Sequence, residues 1–257
     1  MLNNDNYFSP EMQKKYFGVS QFKQFEQCSE MAMAELDGRY KREVTTSLLV
    51  GSYVDAFFEG SLKEFINAHP EIINTRTGAL KAEYKKADEI IERLCADKMF
   101  MEYMSGEKQV IMTGEISGVP VKIKVDSLLP DKIVDLKIVK DFKPMYKPEQ
   151  GKLTFAEYWE YDLQGAVYQE IVRQNTGKRL PFYLAAATKE PVTDLAIIEI
   201  PQDYLDLELS RFAELVPTYN AIKQGAFPAD RCEHCNWCKQ TKILTNIMTL
   251  GELAEYE

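Results

Sequence analysis

The sequence predicts an α/β domain, a central mixed sheet flanked by helices, with a helical N-terminal part and a cysteine-bearing C-terminal tail. Three observations predict it. Apolar residues recur at helical spacing through 20–37, the period changes to two across 109–138, and a long helical stretch at 155–175 leads into two further strand-like runs.

Each element has its own signal. In SQFKQFEQCSEMAMAELD, residues 20–37, Phe22, Phe25, Met33 and Leu36 fall on one side of a helix. Further helices are expected from Ser47 to Glu59 and over the charged stretch Ala79 to Asp97. Ser117-Gly118 interrupts the alternating run and predicts a hairpin followed by a third strand. On the hairpin's second strand, Val119, Val121, Ile123 and Val125 point one way while Lys122, Lys124 and Asp126 point the other. On the third, Val134, Leu136 and Ile138 oppose Asp135 and Lys137, so the polar groups are expected on one side of the sheet. The helix over 155–175 stops before Thr176-Gly177, a C-cap signal. Strands at 181–188 and 194–200 and a helix over 202–224, ended by Gly225 and Pro228, complete the pattern. No repeat or low-complexity linker divides the chain. It reads as one domain over 1–257, with a helical part at 1–100, a core at 105–225 and a cysteine-rich tail at 226–257.

Bulk properties narrow the function. With 257 residues, 45% hydrophobic and 28% charged, the chain can bury a core and is not mainly disordered. No apolar run approaches the roughly 20 residues that span a bilayer, and the polar start MLNNDNYFSP lacks signal-peptide features, so a cytoplasmic protein with no membrane partner is expected. A formal charge of -9 argues against binding nucleic acid by bulk electrostatics. It suits a protein that uses divalent cations to bridge acidic groups to phosphate, with local lysines or enclosure by an oligomer retaining the strand. Three of the five cysteines, Cys232, Cys235 and Cys238, crowd into seven residues and point to metal or cluster ligation.

The chemistry concentrates in GEISGVPVKIKVDSLLPDKIVDLKIVKD, where one strand carries Asp126 and the next carries Asp135-Leu136-Lys137. Carboxylates on neighbouring strands can hold Mg2+ or Mn2+ while phosphate and water complete the coordination. A lysine two residues along the same face can orient the attacking water and offset charge on phosphate. Taken alone, such a triplet is more often a solvated strand face.

The ordered set around it resembles the PD-(D/E)XK nucleases, in the RecB-like branch that includes phage exonucleases and exodeoxyribonuclease VIII-type proteins. The resemblance runs from Ser20 to Cys238. It implies a restriction-endonuclease-like core and a catalytic set of Asp126, Asp135, Lys137, Gln164 and Tyr168, with the Gln164/Tyr168 pair contacting the strand and bracing the lysine. Gly51 to Glu59 resembles a helix whose histidine is usually a metal ligand, and here Asp55 stands in that place. Metal ligation is implied for Asp55, Asp126, Asp135 and the Leu136 carbonyl, with Glu115 as a secondary ligand or supporting residue. Some relatives hold a [4Fe-4S] cluster, implying Cys28, Cys232, Cys235 and Cys238 as ligands. The C-x2-C-x2-C spacing is tighter than theirs, which leaves zinc, with or without His234, and an empty site open. Cys95 is expected to be a small buried residue, and His69, before Pro70, a loop residue.

The implied activity is metal-dependent DNA exonuclease action at linear duplex ends, in phage-type recombination or end processing beside a single-strand annealing recombinase, within a homo-oligomeric ring. A structure- or sequence-specific endonuclease would use the same core and attack closed circles. A decayed, cluster-stabilised DNA-binding module would bind without cutting.

Overall fold

The computed structural model describes residues 2–245 and 247–251; Met1 and the remainder of the expected tail lie outside the described residues. Its helical N-terminal part comprises α1 (Pro10–Lys15), α2 (Val19–Gln27), α3 (Ser29–Leu36), α4 (Thr46–Glu59), α5 (Leu62–Ala68), α6 (Ala82–Cys95) and α7 (Lys98–Tyr103). The strands β1 (Glu107–Ile116), β2 (Val119–Leu128) and β3 (Ile133–Val139) follow, then a small hairpin, β4 (Met145–Lys147) and β5 (Gly151–Leu153). The chain continues through α8 (Phe155–Tyr158), α9 (Tyr161–Thr176), β6 (Phe182–Thr188), β7 (Leu195–Glu199), α10 (Gln202–Lys223) and α11 (Asn236–Gln240).

The main sheet has the order β1-β2-β3-β6-β7, antiparallel except where β3 and β6 run parallel from Ile133–Phe182 to Val139–Thr188. A parallel pair needs a crossover, and α9 supplies it. A Cβ on Gly165 would come within 2.5 Å of the Phe182 ring, so the glycine lets α9 approach β6 closely.

Two apolar cores lie on the two faces of the sheet. One packs α2, α9 and α10 against Val121, Ile123, Val125, Phe182 and Leu184. The other packs α4 and α6 against Val134, Leu136, Ala185 and Ala187. The apolar stripes of β2 and β3 therefore serve opposite cores. This is possible because the two strands pair only at Ser127–Val134 and Leu128–Ile133 and then separate, so the polar groups meet in a fork between strands and not on one sheet face as the alternation predicts.

Two expected helices are broken, each for a local reason. The run 20–37 splits at Cys28, whose extended backbone (φ -169°, ψ 104°) ends α2 and caps α3 through its own sulfur. The run 155–175 splits because Glu160 is left-handed (φ 53°). A capping box between Thr154 and Glu157 starts α8 separately, and Lys23 holds the kink by donating to the Trp159 and Glu160 carbonyls at 2.6 and 2.7 Å. His69 caps α5, a helix the sequence did not announce, and bonds Glu71 through Nδ1 at 2.8 Å. Cys95 is exposed at the end of α6, contrary to its expected burial, because Ile91 and Leu94 occupy that turn's inner face.

Candidate active site

Where β2 and β3 separate, their missing rung is replaced by a side chain. The Leu136 amide donates to Asp126 Oδ2 at 2.9 Å, so Asp126 spans the fork and is oriented by β3's backbone. On its other oxygen Asp126 accepts from Gln109 Nε2 at 3.2 Å. Gln109 sits on β1 between the residues that pair with Ser127 and Val125 and has a left-handed backbone (φ 54°), which the sequence does not signal.

Asp135 enters the fork from β3 and is 1% exposed. Its Oδ1 accepts from Gln164 Nε2 on α9 at 2.7 Å, and its Oδ2 lies in ion-pair contact with Lys137 Nζ without a well-formed hydrogen bond. Lys137 Nζ also lies 4.8 Å from the centre of the Tyr161 ring. Tyr168, one turn beyond Gln164, donates its hydroxyl to the Lys124 carbonyl at 3.1 Å, tying α9 to β2 two residues before Asp126. Asp55 reaches the same groove from α4. The groove measures about 780 Å³, and Asp55, Asp126, Asp135, Lys137, Gln164 and Tyr168 all line it.

The charges are mutually stressed. Burial, reinforced by Asp126 and opposed by Lys137, pushes the Asp135 carboxyl up to about 7. Burial also raises Asp55 well above the carboxylate range, with Asp126, Asp135 and Glu59 adding to it and Lys137 opposing. Burial would lower Lys137, but Asp135 and Asp126 outweigh it and hold the ammonium above its ordinary value. Three carboxylates sharing one lysine, with an incompletely satisfied Asp135 oxygen and an unpartnered buried Gln109 Oε1, form a hard oxygen-donor set of the kind that accepts a divalent cation.

Glu115 is not part of this arrangement. It pairs with Pro120 at the far end of the β1–β2 hairpin, is exposed, and its backbone bonds the Gln174 side chain. The resemblance implies a secondary ligand here, but the register sets Glu115 opposite Pro120, six positions along β2 from Asp126.

A second cluster joins the chain's ends. The sulfurs of Cys28, Cys232, Cys235 and Cys238 all lie within 4.8 Å of one another, with Cys28 and Cys238 3.6 Å apart. Backbone amides of Met31, Cys235 and Cys238 donate to the sulfurs of Cys28, Cys232 and Cys235 at 3.3–3.4 Å. Ser29 and Glu30 bond the backbone of Asp230, so the tail is clasped onto α3 beside the thiols. His234 is exposed on the loop between the second and third cysteines of the set.

Residues 18–241 match the model of a family described as a PDDEXK-like domain of unknown function, DUF3799. A solved structure described as "Putative exonuclease" from Eubacterium rectale is 44% identical, covers 100% of this chain and 99% of its own, and superposes with a TM-score of 0.96. Another solved structure, SSO0001, is 14% identical over 74% of this chain and 85% of its own, with a TM-score of 0.29. No curated protein matches.

Proposed function

The chain belongs to the PDDEXK-like family, and from that premise we propose that it is a metal-dependent deoxyribonuclease acting as an exonuclease on linear duplex ends. The observation that carries the reading is the fork itself, where Asp126, Asp135 and Lys137 converge and Gln164 bonds Asp135. The exonuclease description belongs to the 44% identical relative and is extended here to this chain.

Asp126, Asp135, Asp55 and the Leu136 carbonyl would hold Mg2+ or Mn2+. When bound, the cations supply charge stabilisation at the attacking and leaving oxygens of the phosphodiester. Lys137, kept protonated by its two carboxylate neighbours, donates to the attacking water and offsets charge on the phosphate. Gln164 fixes the orientation of Asp135, and Tyr168 fixes the β2 backbone next to Asp126. Gln164 thus braces the aspartate, where the motif resemblance implies bracing of the lysine.

The four cysteines would hold a structural metal. Tetrahedral zinc with Zn–S bonds of about 2.3 Å places its sulfurs about 3.8 Å apart. The separations here, from 3.6 Å to within 4.8 Å, favour such an ion. A [4Fe-4S] cluster would need the sulfurs to spread to reach its outer irons. In the cell the enzyme would resect ends in phage-type recombination or end processing. A single-strand annealing recombinase would take the exposed tail, and a homo-oligomeric ring would retain the acidic subunit on DNA.

The test is Mg2+- or Mn2+-dependent digestion of end-labelled linear duplex beside closed circular DNA, with Lys137→Ala as control. Release from linear ends alone, lost in the control, supports the exonuclease. Cutting of closed circles would replace it with an endonuclease, and binding without cutting would replace it with a DNA-binding module.

A further inference from the structure

The groove has a wall that the catalytic set does not use. Residues 3–9 form a fixed arm along it. Asn3 and Asn6 exchange backbone-to-side-chain hydrogen bonds at 2.8 and 3.1 Å, and Ser9 caps α1. Lys122, 2% exposed, donates to the Tyr7 carbonyl and lies 4.4 Å from the centre of the Tyr7 ring. Downstream of the arm, Phe17 bonds Pro120 and Lys122 of β2 through its backbone at 2.8 Å, so the arm is tied to the strand that carries Asp126.

On this anchored arm Phe8 is 69% exposed, yet it lines the same groove as Asp126 and Lys137. Tyr7, 8% exposed, supports it edge to face, with ring centres 4.9 Å apart and planes at 82°. Beside it, Lys124 Nζ lies 5.5 Å from the Phe8 ring centre and reaches Glu59 only at 4.0 Å. The other groove lysines are committed: Lys122 and Lys23 to backbone carbonyls, Lys137 to Asp135. A large apolar ring exposed to water and backed by Tyr7, next to a weakly committed cation and a phosphodiester-cutting centre, matches what one nucleotide offers. A base stacks on a ring and its phosphate meets an ammonium.

Resting on the nuclease reading, we propose that Phe8 and Lys124 form a nucleotide subsite that stacks an unpaired base of the strand entering the active site. The enzyme then selects a frayed single-stranded terminus in preference to a paired one. Selection at the end would come from the arm, while the fork performs hydrolysis on whatever strand is delivered.

The experiment uses the full chain with Lys137→Ala in every sample, so that DNA is not consumed, and a single-stranded oligonucleotide carrying 2-aminopurine near its terminus. With Phe8 present, binding quenches the probe. Adding Phe8→Ala removes the quench and weakens binding about 5- to 150-fold, the loss of one base–aromatic stack, whereas Phe8→Trp restores both. Unchanged affinity and quench in Phe8→Ala overturn the subsite. Failure of the otherwise unsubstituted protein to hydrolyse DNA overturns the nuclease reading instead, and the quench still decides the subsite.

Discussion

Gln164 and Asp135 are joined by a 2.7 Å hydrogen bond from the crossover helix α9 to a carboxylate that is 1% exposed. The amide leaves Asp135 Oδ2 for other partners and fixes which way the carboxyl plane faces. Partners of this kind around metal ligands typically contribute 10- to 100-fold in metal affinity or activity. Gln164→Leu is therefore expected to raise the Mg2+ concentration for half-maximal nuclease activity by roughly tenfold or more. Its circular dichroism should match the wild type. A Mg2+ titration identical to wild type would remove Gln164 from the site.

In the metal-free protein burial disfavours the ionised carboxylates of Asp55 and Asp135, and repulsion among Asp55, Asp126 and Asp135 adds to that cost. Asp55→Asn should raise the melting temperature without divalent cations, by about 2–4 °C for each kcal/mol of repulsion relieved in a chain of this size. The same substitution should reduce the stabilisation that Mg2+ or Mn2+ gives the wild type. Differential scanning calorimetry with and without a saturating divalent cation separates the two effects. A variant that melts lower without cation and responds fully with it would place Asp55 outside the cation set.

The convergence of Asp126, Asp135 and Lys137 was legible because strand alternation brings them toward a common region, and the surrounding motif resemblance, not the triplet itself, singled them out. Its geometry was not. Alternation treats β2 and β3 as continuous neighbours, and their separation beyond Ser127–Val134 depends on the two cores pulling their apolar stripes to opposite faces. Gln109 was invisible for a related reason, since a left-handed glutamine has no sequence marker and matters only through the register of β1. The helix breaks at Cys28 and Glu160 were missed because distant partners impose them. Cys28 turns toward the C-terminal thiols, and Lys23, more than a hundred residues away, holds Glu160. Glu115 was suggested by the motif resemblance alone, which carries no register, and pairing with Pro120 puts it at the far end of the hairpin.

Removing the cysteine centre should be felt as folding stability. Structural tetrahedral sites contribute directly to folding, because the unfolded chain lacks the assembled ligands. Cys238→Ser is expected to lose bound metal, measured by elemental analysis of protein purified without oxygen, and to melt several degrees lower. One zinc per chain and no visible absorption in the wild type would support the single ion. Four irons with broad visible absorption would support the cluster. Neither metal in the wild type would mean that the thiols serve only as packing.

A pH effect on stability should come from buried lysines outside the β2–β3 fork. Lys223 is 9% exposed, donates to the Tyr16 carbonyl and to Gln21 Oε1 at 2.9 Å each, and is pushed down to about 7 by burial, with Lys122 adding to the effect. The fold disfavours the charged lysine, so the unfolded chain binds more protons between about pH 7 and the ordinary lysine value near 10.4. Stability from this group is lowest at pH 7 and below, and rises as pH increases through that window, by about 1 kcal/mol per pH unit. Lys122, pushed down to about 8 by burial, titrates in the same window and adds a slope of the same sign. Urea midpoints measured at pH 7, 8 and 9 should therefore climb in the wild type and climb less steeply in Lys223→Met. Equal slopes in the two proteins would show that Lys223 is charged in the fold at neutral pH, held by its two acceptors against the cost of burial.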